Sequence, residues 1–107
     1  MYRQGDVLLI PVKSIPKGAN ELPRDNGRVV LAYGEVTGHA HAFSSGRATM
    51  FREDGSGGGG GTFLLVKGGA PAALRHEEHT TVKVPPGNYE VRRQREYTPE
   101  RLRQVAD

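Results

Sequence analysis

The stretch TTVKVPPGNYEV, residues 80–91, decides the predicted fold more than any other part of the chain. It starts with β-branched residues, which favour a strand. Two prolines, a glycine and an asparagine follow. Proline presets φ for a tight turn, and the glycine or the asparagine can adopt a positive φ. The sequence therefore predicts an antiparallel hairpin over residues 80–96, with its turn at 85–88.

The rest of the chain has the same character. Glycine (15 residues) and proline (7 residues) are frequent, and short β-branched runs are separated by turn residues, which is typical of many short strands. We therefore predict an all-β fold: one domain spanning residues 1–107, built as a small antiparallel β-barrel or sandwich of six to eight strands. The expected strands are residues 5–12, 28–33, 39–43, 48–52, 62–67, 80–84 and 88–96.

Two segments depart from this pattern. The glycine-rich run 54–61 predicts a flexible hairpin tip, because it lacks the lysine and hydroxyl residues that a phosphate-binding loop places at fixed offsets. Residues 98–105 predict a short C-terminal helical turn. There Thr98 can cap the helix, Pro99 suits the first turn, and Glu100 complements the helix dipole.

Composition restricts the chemistry. The 107 residues include no cysteine, which excludes disulfides and thiolate metal sites and leaves imidazole and carboxylate as the strong side-chain ligands. The N-terminus lacks the features of a signal peptide, and the longest apolar run, residues 7–12, is too short to cross a membrane. We expect a soluble, cytoplasmic protein without a membrane partner. A net charge of +3 permits RNA binding without requiring it.

All four histidines occur in two close pairs, in GHAHA (residues 38–42) and RHEEH (residues 75–79). Residues two apart on a strand project from the same face, so His39 and His41 are expected to reach one point together. The spacing of three between His76 and His79 suits a turn leading into the strand at residue 80. We predict that His39, His41 and at least one of His76 and His79 surround one pocket.

This constellation favours a divalent metal. Two or three imidazoles with one carboxylate are a usual ligand set for Zn²⁺, Fe²⁺ or Mn²⁺. The predicted ligands are His39, His41 and His79, with His76 or Glu78 as a fourth ligand or general base. Glu78 and Tyr97 are the candidate catalytic residues of a hydrolase or an oxygenase-like enzyme.

Two other functions remain open. One is an RNA-binding protein or a metal-independent ribonuclease. Histidines can act without metal as acid and base, as in ribonucleases that cleave through the 2′-hydroxyl, and Arg92, Arg93 and Arg95 would then contact RNA phosphates. Alternatively, the protein is a non-catalytic phage or bacterial assembly protein, whose histidines stabilise an interface in a homo-oligomer. Metal content separates the first function from the other two.

The chain resembles a family of small bacterial and prophage proteins. The resemblance rests on QGDVL (4–8), GEVTGHAHA (34–42), HEEH (76–79), PGNY (86–89) and QREYTPE (94–100), which occur in order along nearly the whole chain. It implies no activity, but it suggests that residues 44–62 form a connection of variable length.

The chain is also similar to the cupins, which are metal-binding β-barrels, through a glycine followed by His-x-His. Gly34, His39 and His41 match this part of the first cupin motif. The glutamate that should follow is missing from residues 43–46, and His79 precedes the Pro-Gly pair instead of following it. The similarity therefore concerns the geometry of a metal site, since a fold alone does not fix a function.

Overall fold

A computed structural model of the chain describes residues 1–34, 36–54 and 60–94. Its regular structure consists of β-strands. In chain order they are β1 (Tyr2–Gln4), β2 (Val7–Val12), β3 (Asn20–Glu21), β4 (Val29–Tyr33), β5 (Ala40–Phe43), β6 (Ala48–Glu53), β7 (Gly61–Val66), β8 (Ala72–Arg75), β9 (Val82–Val84) and β10 (Gly87–Arg93). Over these described residues, no helix is long and apolar enough to cross a membrane.

The strands form two antiparallel sheets. The larger sheet has the order β1-β2-β10-β7-β6-β3, and the smaller sheet has the order β4-β5-β8-β9. Each sheet ends in two edge strands, so neither closes on itself. The all-β prediction is confirmed, and of its two architectures the sandwich fits while the closed barrel is wrong.

The hydrophobic core lies between the two sheets and receives side chains from both. The larger sheet contributes Leu9, Ala48, Leu64, Val66 and Tyr89, and the smaller sheet contributes Val29, Phe43, Ala72, Leu74 and Val84. Phe43 and Leu64 are completely buried. Because side chains alternate across a strand, the position of Phe43 also defines which face of β5 looks into the sandwich.

The predicted hairpin over residues 80–96 is wrong. β9 pairs with β8 in the smaller sheet, whereas β10 pairs with β2 and β7 in the larger sheet. The two prolines between them cannot donate the backbone hydrogen bonds of a two-residue hairpin turn, and they carry the chain across the sandwich. The Tyr89 hydroxyl donates a hydrogen bond to the Pro85 carbonyl at 2.7 Å, which fixes this crossing.

Four of the strand predictions are confirmed. The strands predicted at residues 28–33, 39–43, 48–52 and 62–67 correspond to β4, β5, β6 and β7 within one or two residues. The strands on either side of the glycine-rich run, β6 and β7, pair with each other, with Glu53 opposite Gly61. Sequence analysis missed β1, β3 and β8. The C-terminal helical turn at 98–105 lies outside the described residues.

Candidate metal centre

The register of β5 and β8 brings the two histidine pairs together. Ala42 lies opposite Arg75, and Phe43 lies opposite Leu74. Extending this antiparallel register by one residue at a time places His41 opposite His76, and then residue 40 opposite Glu77. In agreement, the Ala40 amide donates a hydrogen bond to Glu77 Oε1 at 2.9 Å. The pairs therefore meet because the end of β8 runs alongside the start of β5.

The four imidazole rings form a compact cluster. The ring centroids are 4.3 Å apart for His41 and His76, 4.7 Å for His76 and His79, 5.6 Å for His41 and His79, and 5.7 Å for His39 and His76. The predicted proximity of the two pairs is confirmed. His76 is the central ring, because it contacts each of the other three.

Gln4, on β1, determines the orientation of His41. The Gln4 amide nitrogen donates hydrogen bonds to the backbone carbonyls of Leu74 at 2.8 Å and Thr80 at 3.0 Å. The Gln4 Oε1 atom therefore faces His41 and accepts a hydrogen bond from His41 Nδ1 at 2.9 Å. Because Nδ1 carries the proton in this arrangement, Nε2 of the neutral ring has a lone pair.

The environment of His41 keeps this ring neutral. Burial, followed by the neighbouring His76, lowers the pKa of His41 from 6.5 to about 4. Asp6 acts in the opposite direction, with its Oδ1 atom 4.0 Å from His41 Nε2. A neutral imidazole is the form that binds a metal ion, because a protonated nitrogen has no lone pair to donate.

The turn between β1 and β2 forms one wall of the cluster. Gly5 has a φ of +59°, and a Cβ atom there would lie 2.9 Å from His79 Nε2 and 3.2 Å from His41 Cε1. Only glycine permits both this backbone conformation and this close approach. Beside it, Asp6 Oδ2 accepts hydrogen bonds from Nε and Nη2 of Arg93 at 3.0 and 2.8 Å.

Sequence analysis missed this wall, because it assigned residues 5 and 6 only to the start of the strand predicted over residues 5–12. The available signal was a polar residue, Gln4, next to a glycine at the start of a strand. A buried glutamine needs partners for both its donor and its acceptor. That requirement becomes informative only when the pairing of β1 is known.

Two groups of side chains have the spacing needed to hold a metal ion. The first consists of His41, His76 and His79, and the second of His39, His76 and Glu77; within each group the ligand atoms lie within 4.8 Å of one another. Bonds of about 2.1 Å to tetrahedral zinc would place ligand nitrogens about 3.4 Å apart, so side-chain rotations of modest size would close either group. Neither group contains both His39 and His41, which differs from the predicted ligand set. His39 precedes β5, so strand alternation does not govern its direction.

Two glutamates follow His76, and they have different roles. The hydrogen bond from the Ala40 amide is the main cause that lowers the pKa of Glu77. The Glu78 backbone amide donates to His76 Nδ1 at 3.0 Å, so the neutral His76 ring of the metal-free protein carries its proton on Nε2. To bind a metal ion, His76 has to give up either this hydrogen bond at Nδ1 or the proton on Nε2. The Glu78 carboxylate lies 3.6 Å from His39 Nδ1. Glu78 therefore borders the cluster without belonging to either metal group.

The cluster opens into a cleft of about 490 Å³ at one end of the sandwich. Its lining includes all four histidines, Gly5, Asp6, Tyr33, Gly34, Val36, Glu78 and Arg93. Of the predicted RNA-contacting arginines, Arg93 lines this cleft, whereas Arg92 forms an ion pair with Glu90 at 2.9 Å. Arg95 and the candidate catalytic residue Tyr97 lie outside the described residues.

A two-sheet antiparallel sandwich with a histidine cluster at one end defines the class of protein. The comparison with known families agrees with the resemblance to a family without an established activity. The chain belongs to the family described as "Domain of unknown function (DUF8820)", which it matches over residues 3–94. No curated protein and no solved structure matches the chain.

Proposed function

We propose that this protein binds a divalent transition metal ion through His41, His76 and His79. The observation that carries the proposal is that three imidazoles with ligand atoms within 4.8 Å of one another line an open cleft. Imidazole is a preferred ligand of Zn²⁺ and of iron. The hydrogen bond from His41 to Gln4 is the kind of outer contact that orients metal-binding histidines.

A metal-dependent reaction is part of the proposal. Three protein ligands leave a fourth position of a zinc ion for water or substrate, as in catalytic zinc sites. A zinc ion in such a site lowers the pKa of bound water and polarises carbonyl or phosphoryl oxygens. Glu78, which lines the cleft, would serve as the general base. A hydrolase is therefore the preferred class, with an oxygenase as the alternative if the ion is Fe²⁺.

The test is a metal titration of protein produced without a histidine tag and freed of metal with a chelator. Isothermal titration with Zn²⁺ should give one ion per chain. His79→Ala should lower the affinity at least about 100-fold, which is the upper end of the effects seen for outer contacts. His79 is exposed, so this change should leave the fold intact.

His39→Ala is the matched control, because His39 is absent from the proposed ligand group. It should leave zinc affinity nearly unchanged. The reverse result, with affinity lost in His39→Ala and kept in His79→Ala, would assign the ion to His39, His76 and Glu77. Wild-type protein that takes up no Zn²⁺, Mn²⁺ or Fe²⁺ would refute the proposal.

A second candidate is metal-free acid–base chemistry on a phosphodiester. It is favoured by the opposite tautomers of two adjacent rings: neutral His41 has an unprotonated Nε2, whereas neutral His76 carries a proton on Nε2. One ring could accept a proton while the other donates one, with Arg93 nearby for the phosphate. RNA cleavage that persists in excess chelator and disappears in His41→Ala would support this candidate over the metal centre.

A further inference from the structure

The cleft is lined by exposed apolar side chains as well as by the histidines. Three large hydrophobic side chains are exposed within residues 1–34, 36–54 and 60–94: Met1, Tyr33 and Val36. Two of them, Tyr33 at 61% exposure and Val36 at 53%, line the cleft. Exposed hydrophobic groups that gather at one concave site are typical of ligand-binding surfaces.

Tyr33 is held in place despite its exposure. Its hydroxyl donates a hydrogen bond to Asp25 Oδ2, and that bond is the main cause that raises the pKa of the Tyr33 phenol. The phenol therefore remains neutral at physiological pH. An exposed aromatic ring fixed at its far end loses little conformational freedom when a ligand packs against its face.

The backbone next to Tyr33 borders the histidine cluster. The Gly34 amide donates to the His39 carbonyl at 2.8 Å, and a Cβ atom on Gly34 would lie 3.3 Å from His76 Nε2. Tyr33 is the preceding residue, and consecutive Cα atoms are about 3.8 Å apart. Tyr33 lines the same cleft as the four histidines, so a ligand that fills the cleft contacts both.

From these contacts we infer that the cleft receives a small molecule with a planar aromatic or heteroaromatic ring, which packs against Tyr33 while an oxygen donor of the same molecule binds the metal. The inference rests on the proposed metal centre and adds the class of ligand. Aromatic rings prefer offset-stacked or edge-to-face contacts, and Tyr33 offers both a face and an edge. Val36 extends the apolar contact at the rim.

The test compares two hydroxamates on zinc-loaded protein. Acetohydroxamate and benzohydroxamate offer the same chelating group and differ in the phenyl ring. The ratio of their dissociation constants therefore isolates the contribution of the ring from that of the metal bond. Wild-type protein should bind benzohydroxamate more tightly than acetohydroxamate.

Tyr33→Ala should lower this preference about 3- to 10-fold, which is the range expected for one aromatic pair. Tyr33→Phe is the matched control: it keeps the ring, loses the bond to Asp25, and should retain most of the preference. Both variants should take up zinc as wild type does, because Tyr33 is outside the ligand group. An unchanged preference in Tyr33→Ala would overturn the inference while leaving the metal centre standing. Absence of zinc uptake would overturn the metal centre and this inference with it.

Discussion

Replacing Gln4 with alanine tests the hydrogen-bond network that orients His41. The change leaves the Leu74 carbonyl and His41 Nδ1 without their partner, and both hydrogen bonds are buried. A buried polar group left unsatisfied costs about 1–3 kcal/mol, so the two together should cost about 2–6 kcal/mol. The third bond, to the partly exposed Thr80 carbonyl, should contribute little because water can replace it. The loss is large relative to a typical stability of about 5–15 kcal/mol.

Urea unfolding followed by circular dichroism measures this loss, with Arg3→Ala as the control. Arg3 lies on the same strand but is exposed, so its replacement should change stability by less than about 0.5 kcal/mol. Gln4→Ala should also weaken zinc binding about 10- to 100-fold, because His41 can then adopt either tautomer. Equal stability and equal zinc affinity in Gln4→Ala and Arg3→Ala would refute the reasoning.

Three further perturbations follow from the same geometry. Gly5→Ala should strain the backbone by about 1–2 kcal/mol and push on His79, so calorimetry should find weaker zinc binding; wild-type affinity would contradict the close approach. Metal-free protein should lose stability as the pH falls from 6.5 to about 4, because the unfolded chain binds the proton at higher pH than folded His41 does. A shift of this size corresponds to at most about 3 kcal/mol, and His41→Gln should flatten the pH dependence of urea unfolding; parallel curves would contradict it. Deleting residues 57–59 should change stability by only about 0.6 kcal/mol, since loop-closure entropy depends weakly on length, and a loss of several kcal/mol would show a structural role for the run.

Local patterns predicted the local features of this protein. Short β-branched runs bounded by glycine and proline predicted the strands from β4 to β7, because these signals act within a few residues. The complete pairing of the histidines predicted that they would meet. The hairpin prediction failed because Pro-Gly-Asn chemistry indicates a change of chain direction and not the sheet to which the next strand belongs.

The detailed site depended on long-range register. His76 is the central ring because β8 pairs with β5, and β8 itself was missed in the sequence, where its short run of alanines gives no strand signal. Similarly, nothing near Gln4 in the sequence indicates that its partners lie 70 and 76 residues further along the chain. Which histidines share a metal group therefore depended on the pairing of distant strands. The expectation of imidazole ligands followed from the sequence alone.

The bond between Asp6 and Arg93 joins residues that are 87 positions apart. Contacts of such high sequence separation are slow to form, because the chain must close a long loop before they contribute any stability. During synthesis, at about 5–20 residues per second, the first strand has left the ribosome seconds before the last strand exists. We therefore expect the cleft to be completed late in folding, when β10 joins the larger sheet and brings Arg93 to Asp6.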